Sequence, residues 1–261
     1  VSDLPDAPVH GKKRFPQRIL LIAFLVSFIL FIIFTITGLE KVISWKISRA
    51  LSKSETCSVQ LYSRPPFKIW YGEIDYLHLH AVDSKDFALP LKDLTVTARD
   101  IKVDVFRMAP HDLSYVRTLH LEGIAIIDQS SLAEYLSRKL PPPYSLEVKI
   151  VDGTIELTVS VSLIRTFTFT VRGNLHVEDN TRLYLKIPEI SFKDLTVKRE
   201  YLDAVLKAIN PVVDLEEIDF AGRLLGKIPE EERKKWSISV ETLELKERLM
   251  VLHFSAIKRE Q

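Results

Sequence analysis

His78 and His80 stand two residues apart, the spacing that puts two imidazoles on one face of a strand, where they could share a metal ion. A working ligand set needs further donors, and no Cys, Asp or Glu joins them at ligand spacing. The pair therefore reads first as polar residues on the wet face of a strand. Asp214, Glu216, Glu217 and Asp219 offer oxygen ligands, but they alternate with Leu215, Ile218 and Phe220 and lack the glycine-containing loop that wraps calcium. They read as a solvated passage from loop into strand. Cys57 is the only cysteine, which excludes an intrachain disulfide and any thiolate cluster. The nucleophile elbow Gly-x-Ser-x-Gly, the zinc motif His-Glu-x-x-His, the Walker loop and Gly-x-Gly-x-x-Gly are all absent, and the chain holds only 8 glycines from which to build a phosphate cradle. The expectation is a protein with no catalysis, metal or cofactor of its own. The alternative, a membrane-bound hydrolase or transferase, would be marked by carboxylates or histidines turned inward in a deep pocket.

Charge excludes a second class. Lys and Arg number 36 against 35 Asp and Glu, a net charge of +1, so the chain carries no basic footprint for DNA or RNA. An apolar content of 46% is ample for a core.

The elements that would position any site begin with a membrane anchor. Residues 19–39, ILLIAFLVSFILFIIFTITGL, contain no charge, and at ~1.5 Å per helical residue they reach across a hydrocarbon layer of ~30 Å. The run is longer than a signal-peptide core of ~7–15 residues, and no small-residue cleavage site follows it, so an uncleaved transmembrane helix is expected. Lys12, Lys13, Arg14 and Arg18 cluster before it, while Lys41, Lys46, Arg49 and Lys53 spread out behind it. The tight cluster after a short tail places residues 1–18 in the cytoplasm and the domain outside, since long domains translocate with little regard to charge. Residues 40–55 mix Val42, Ile43, Trp45, Ile47, Ala50 and Leu51 with cations. They form either an amphipathic stalk in the headgroup zone or a solvated first helix of the domain.

Residues 56–261 read as a single α+β domain, an antiparallel, β-rich curved sheet packed on two short helices. Alternation is clearest where Ile155, Leu157, Val159, Val161, Leu163, Phe167, Phe169 and Val171 interleave with Thr and Ser, giving one apolar and one hydroxyl-rich face. It recurs in Leu146-Val148-Ile150, Leu183-Leu185-Ile187, Trp236-Ile238-Val240 and Leu249-Val251-His253. Leu94, Val96 and Ala98 are even-numbered while Ile101, Val103 and Val105 are odd, a change of phase that predicts a β-bulge near Arg99 and Asp100. Ser131 and Glu134 suggest a capping box for a helix carrying Leu132, Tyr135, Leu136 and Leu140, stopped by Pro141 to Pro143. A second helix spans roughly Arg199 to Ile209 with Leu202, Val205, Leu206 and Ile209 on one face. The echo between LKDLTV at 91–96 and FKDLTV at 192–197 records either a duplication or chance.

The apolar strand face is longer than two short helices can cover, and leaving it wet is costly at ~25 cal/mol per Å². Two arrangements fit: a dry sandwich of sheet on sheet, or an elongated apolar cavity for an acyl chain. Candidate lining residues for that cavity are Leu132, Leu136, Ile155, Leu157, Val159, Val161, Phe167, Phe169, Val171, Leu202, Val205 and Leu206.

Four segments, VQLYSRPPFKIWYG at 59–72, LTVTARDIKVDV at 94–105, GIAIIDQSSLAEYL at 123–136 and YLDAVLKAINPVVDL at 201–215, resemble in order and spacing the LmeA-type phospholipid-binding family of bacterial envelope domains. None is a catalytic signature, and no ligand-contacting residues carry over. The resemblance implies an envelope protein on the outer side of a bacterial cytoplasmic membrane, binding phospholipid or supporting envelope assembly; with the apolar run at 19–39 the expectation is a single-pass membrane protein with its main domain outside. Its partners would be the bilayer and a phospholipid, with no nucleic acid; the sequence names no protein partner. A non-enzymatic scaffold or protein-interaction domain without lipid has the same topology and is the competing expectation.

Overall fold

Period-two alternation builds two antiparallel sheets, with one helix where the chain crosses from the first sheet to the second and another between two neighbouring strands of the second. The structure, a computed structural model, describes residues 25–27, 38, 41–42, 44–45, 48–49, 51, 53–103, 116–117, 120–151, 153–162, 166–192, 199–215 and 236–258. In chain order the elements are β1 (Thr56–Tyr62), a 3-10 turn (Pro66–Tyr71), β2 (Glu73–Ser84), β3 (Leu91–Val103), β4 (Val116–Arg117), β5 (His120–Asp128), α1 (Gln129–Lys139), β6 (Tyr144–Val151), β7 (Thr154–Ser162), β8 (Thr166–Glu178), β9 (Arg182–Phe192), α2 (Arg199–Ile209), β10 (Val213–Asp214), β11 (Trp236–Lys246) and β12 (Leu249–Lys258). The first sheet runs β1-β2-β3-β5-β12-β11 with β4 also on β3, and the second runs β10-β9-β8-β7-β6. Every described pairing is antiparallel. The β-rich α+β class expected from the sequence is the one observed.

The sheets meet where β11 and β12 reach the β6–β7 and β8–β9 turns. Gly153 N–H donates to Leu245 O at 3.3 Å, Arg248 N–H to Ile150 O at 3.3 Å, and Val240 N–H to Asn180 O at 2.6 Å. α1 brackets the junction. The Ile150 N–H donates to Gln129 Oε1 at 3.1 Å, Arg138 reaches Ala88 O at 2.5 Å, and Lys139 reaches Pro211 O at 3.0 Å. Residues from both sheets and both helices form one continuous buried cluster.

Three local expectations are corrected. The α1 cap is Asp128, whose carboxylate accepts the Ser131 N–H at 2.6 Å; β5 delivers Asp128 straight to the helix start, so Ser131 is the third helical residue and not the cap. Partial burial works against that carboxylate. The Ser131 N–H and hydroxyl, the Ser130 hydroxyl and the charge of Lys92 outweigh the burial and hold its pKa below the ordinary value. The phase change in β3 is real, with Leu94, Val96 and Ala98 buried before it and Ile101 after, but it needs no inserted residue. Asp100 takes a left-handed backbone (φ 53), and the β2–β3 register passes unbroken from Tyr76↔Arg99 to Ile74↔Ile101. The true irregularities lie at Val240/Thr242 and Arg172/Asn174. In β12 the core-facing set is Met250, Leu252, Phe254 and Ala256, the opposite parity to Leu249, Val251 and His253. β12 lies inside the sheet between β5 and β11, and both of its faces carry apolar residues, so alternation alone does not say which face is inward.

Two of the segments that suggested a family are structural fittings. Pro65 and Pro66 open the 3-10 turn and Gly72 closes it at φ 74, where a side chain would be strained. Asp75 clamps the turn from β2, accepting the Arg64 N–H at 2.6 Å and Lys68 Nζ at 3.2 Å; those two hydrogen bonds hold its carboxyl below the usual range. Asn210 acts as a strand residue with its side chain, its Oδ1 accepting Leu185 N–H at 3.0 Å and its Nδ2 donating to Leu185 O at 3.5 Å. Val212 N–H then donates to Leu183 O at 2.7 Å, and β10 finishes the edge of the second sheet.

The expected membrane helix at 19–39 lies outside the described residues except at 25–27 and 38, and no described helix is long and apolar enough to cross a membrane. The second half of the sequence echo, 193–197, also lies outside them. At the stalk the described positions 41–42, 44–45 and 48–49 are helical. Val42 and Trp45 are exposed, with the Arg49 guanidinium 5.1 Å from the Trp45 ring centre, while Leu51 is buried in the domain core.

Candidate functional site

The hydroxyl face of the second sheet is satisfied by itself. Thr158 pairs with Thr170 at 3.2 Å, Ser160 with Thr168 at 3.1 Å and Ser162 with Thr166 at 3.5 Å, each directly across the β7–β8 ladder. Such cross-strand pairs fix register. They commit the opposite face, odd-numbered residues 155 to 161 with 169 and 171, to the interior.

Of the twelve candidate lining residues, Leu132, Leu136, Ile155, Leu157, Val159, Val161, Phe169, Val171 and Val205 are buried together in the common cluster. Leu206 is half-buried against it. Phe167 is half-buried and stands apart from the cluster, because it lies at the β7–β8 hairpin end of the sheet. The backbone of Leu202 lies in α2, but its side chain is outside the described residues. Tyr135, Leu183, Leu185 and Ile209 join the same interior. The apolar face is thus a contiguous wall from the β6–β7 edge to β9, with α1 and α2 against it.

A second feature was invisible in the sequence. A cavity of about 570 Å³ is lined by Lys53, Ser54, Glu55, Asp83, Lys85, Pro90, Leu91, Lys92, Asp128 and Ser131. Three chain segments converge there: the end of the stalk, the β2–β3 turn and the start of α1. The buried Asp86 carboxylate fastens the first two, accepting the Lys53 N–H at 3.1 Å and the hydroxyls of Ser54 and Ser84 at 3.4 Å. Lys85 N–H donates to Lys53 O at 3.5 Å and Glu55 N–H to Val82 O at 3.0 Å. None of these side chains forms a motif; only strand pairing assembles them.

The titratable residues weighed first in the sequence lie elsewhere. His80 pairs with Asp93 at 2.9 Å on the first sheet. His78 stacks with Tyr76 at 6.4 Å between ring centres, and its buried Nδ1 has no hydrogen-bond partner among the described residues. Among the described residues no three His, Cys, Asp or Glu side chains converge as a metal site. Burial pushes the Cys57 thiol up, which makes it a poor nucleophile at neutral pH. Asp214 ion-pairs with Arg182 at 3.0 Å, and the rest of that acidic stretch lies outside the described residues.

In comparison with known proteins, a family described as LmeA-like phospholipid-binding matches residues 37–227, a span that runs from the stalk through both helices and the whole of the second sheet. No curated protein and no solved structure matches the chain.

Proposed function

The chain belongs to the LmeA-like phospholipid-binding family, and from that premise we propose that it is a membrane-anchored phospholipid-binding protein of a bacterial envelope, handling lipid without catalysis of its own. The family match across 37–227 carries the reading. The apolar wall of β7 and β8 facing α1 and α2 supports it as the place for an acyl chain. The anchor is the apolar run at 19–39, and the exposed Val42 and Trp45 beside Arg49 suit a stalk lying at headgroup level. The tight cluster of Lys12, Lys13, Arg14 and Arg18 before that run supports a domain outside the cytoplasm. Protease added to sealed vesicles reads that orientation: the domain should be cut in vesicles that display the outer face, and digestion confined to vesicles that display the cytoplasmic face would reverse it.

The lipid itself is tested by native mass spectrometry of the full chain released from detergent micelles. The wild type should carry phospholipid. Leu206→Trp should lower lipid occupancy with little change in melting temperature, because Leu206 is only half-buried against the wall and the indole takes the space of the acyl chain. In a solid core the same change overpacks, costing about 1–3 kcal/mol. That loss of stability, together with a lipid-free wild-type mass, would favour the second reading, a scaffold or protein-interaction domain. The observation on that side is that nine of the twelve candidate lining residues belong to the one buried cluster shared by the two sheets.

A further inference from the structure

The cavity beside Lys53 is not used by an acyl chain, because its lining is largely charged. Lys53, Lys85 and Lys92 form no ion pair among the described residues, although Glu55, Asp83 and Asp128 line the same space. Asp128 is occupied by the α1 cap, accepting the Ser131 N–H at 2.6 Å and the Ser130 hydroxyl at 3.0 Å, and Lys92 is near enough to act on it. That leaves Lys53 and Lys85 facing Glu55 and Asp83, cations and anions that share a space without closing on each other. The volume of about 570 Å³ lies within the ordinary range for a small-molecule site, ~300–1,000 Å³.

Position adds a second argument. Lys53 ends the stalk that follows the apolar run at 19–39, so the cavity is lined by the residues with which the chain enters the domain. Its inner wall includes the buried Leu91 and Ser131. The residue after Ser131 is Leu132, the first of the buried α1 stripe that continues through Tyr135 and Leu136. The Ser131 end of the cavity is thus one residue away from the α1 side chains that pack the apolar interior.

We infer that this cavity holds the headgroup of a zwitterionic phospholipid, with the Lys53 and Lys85 ammoniums donating to its phosphate and the Glu55 and Asp83 carboxylates accepting from its amine. The inference rests on the phospholipid-binding reading above and names the lipid class. Charge-assisted bonds of this kind are stronger than neutral ones, and a matched pair of opposite charges selects a head that carries both.

Calorimetric titration of the full chain in detergent, with phosphoethanolamine as a probe free of acyl chains, reads the cavity alone. The wild type should bind it. Lys53→Gln combined with Lys85→Gln should weaken binding about tenfold or more, whereas Lys149→Gln, on β6, should leave it unchanged. Both altered side chains are exposed, and the Lys53 bond to Asp86 is made by the backbone, so the variant keeps the fold. Inorganic phosphate binding as tightly as phosphoethanolamine would overturn the headgroup assignment in favour of free phosphate. No binding, or binding indifferent to the lysines, would overturn the site. In a second arm the same proteins are loaded from vesicles containing phosphatidylethanolamine or diacylglycerol. The double variant should lose the phospholipid and keep the diacylglycerol. Equal uptake of both lipids by wild type and variant would overturn the headgroup site and leave lipid binding standing. Uptake of neither by the wild type would overturn the phospholipid-binding reading, and the headgroup assignment with it, whatever phosphoethanolamine does.

Discussion

Phe169→Ala is expected to lower the stability of the full chain by about 3–5 kcal/mol, a large part of the ~5–15 kcal/mol that typically holds a domain folded. Phe169 is the largest of the side chains with no exposure at all, 0%. It sits directly across from Val159 on β7, itself fully buried, and the Thr158–Thr170 and Ser160–Thr168 pairs on the far face lock that register. The ring therefore cannot be replaced by a slide of the strand, since a one-residue slip would turn every hydroxyl inward. Loss of the ring leaves space that the neighbouring strand cannot close. Phe167→Ala, two residues earlier on the same face, is the internal comparison. Phe167 is half-buried and outside the cluster, so its loss should cost only about 1 kcal/mol. Denaturant unfolding followed by circular dichroism on the two variants checks the ranking, and equal losses would refute the division between the buried wall and its hairpin end.

That wall was legible in the sequence for a physical reason. β7 and β8 have one face against the interior and one face wet, so their apolar and hydroxyl residues separate cleanly by parity, and the inward set could be named before any coordinates. β12 defeats the same rule because it is an internal strand with apolar residues on both faces, and there parity carries little information. The α1 boundary was placed near the right residues, yet Asp128 and Ser131 are both good caps; only the direction in which β5 arrives decides between them. At Asp100 the phase shift was visible, but a left-handed residue and an extra residue produce the same change of parity along one strand. The partner register on β2 is what separates them.

The charged cavity illustrates a different limit. Lys53, Lys85 and Lys92 are ordinary surface residues in any local window, and they meet only because β1 pairs with β2, β2 with β3, and β3 with β5. Sequence spacing cannot express such a meeting. The family resemblance shared this blindness: its most recognisable segments proved to be a proline-opened turn closed by Gly72 and an asparagine that completes a sheet edge. Such positions serve the backbone, which is why they locate the fold without locating a ligand.

Gly123→Val is expected to destabilise the protein by about 3 kcal/mol, at the upper end of overpacking costs, although strand positions normally favour valine over glycine. Gly123 lies in β5 directly opposite Phe254 of β12 and Val96 of β3, and the Phe254 ring covers the place where a Cβ would stand. Phe254 is itself 4% exposed, so a side chain at 123 must drive an aromatic ring out of a core position. The glycine and the ring work as one unit, the ring filling the space that the missing side chain leaves. A double-mutant cycle tests this directly. Gly123→Ala alone should be destabilising because even a methyl meets the ring. In a Phe254→Ala background, itself costing about 3–5 kcal/mol, the same change should become neutral or gain about 0.5–1 kcal/mol from the lower entropy of alanine in a strand. A reversal of sign between the two backgrounds is the signature of direct contact. Equal effects in both would mean that the ring does not occupy the glycine's space, and the packing between β5 and β12 would have to be redrawn.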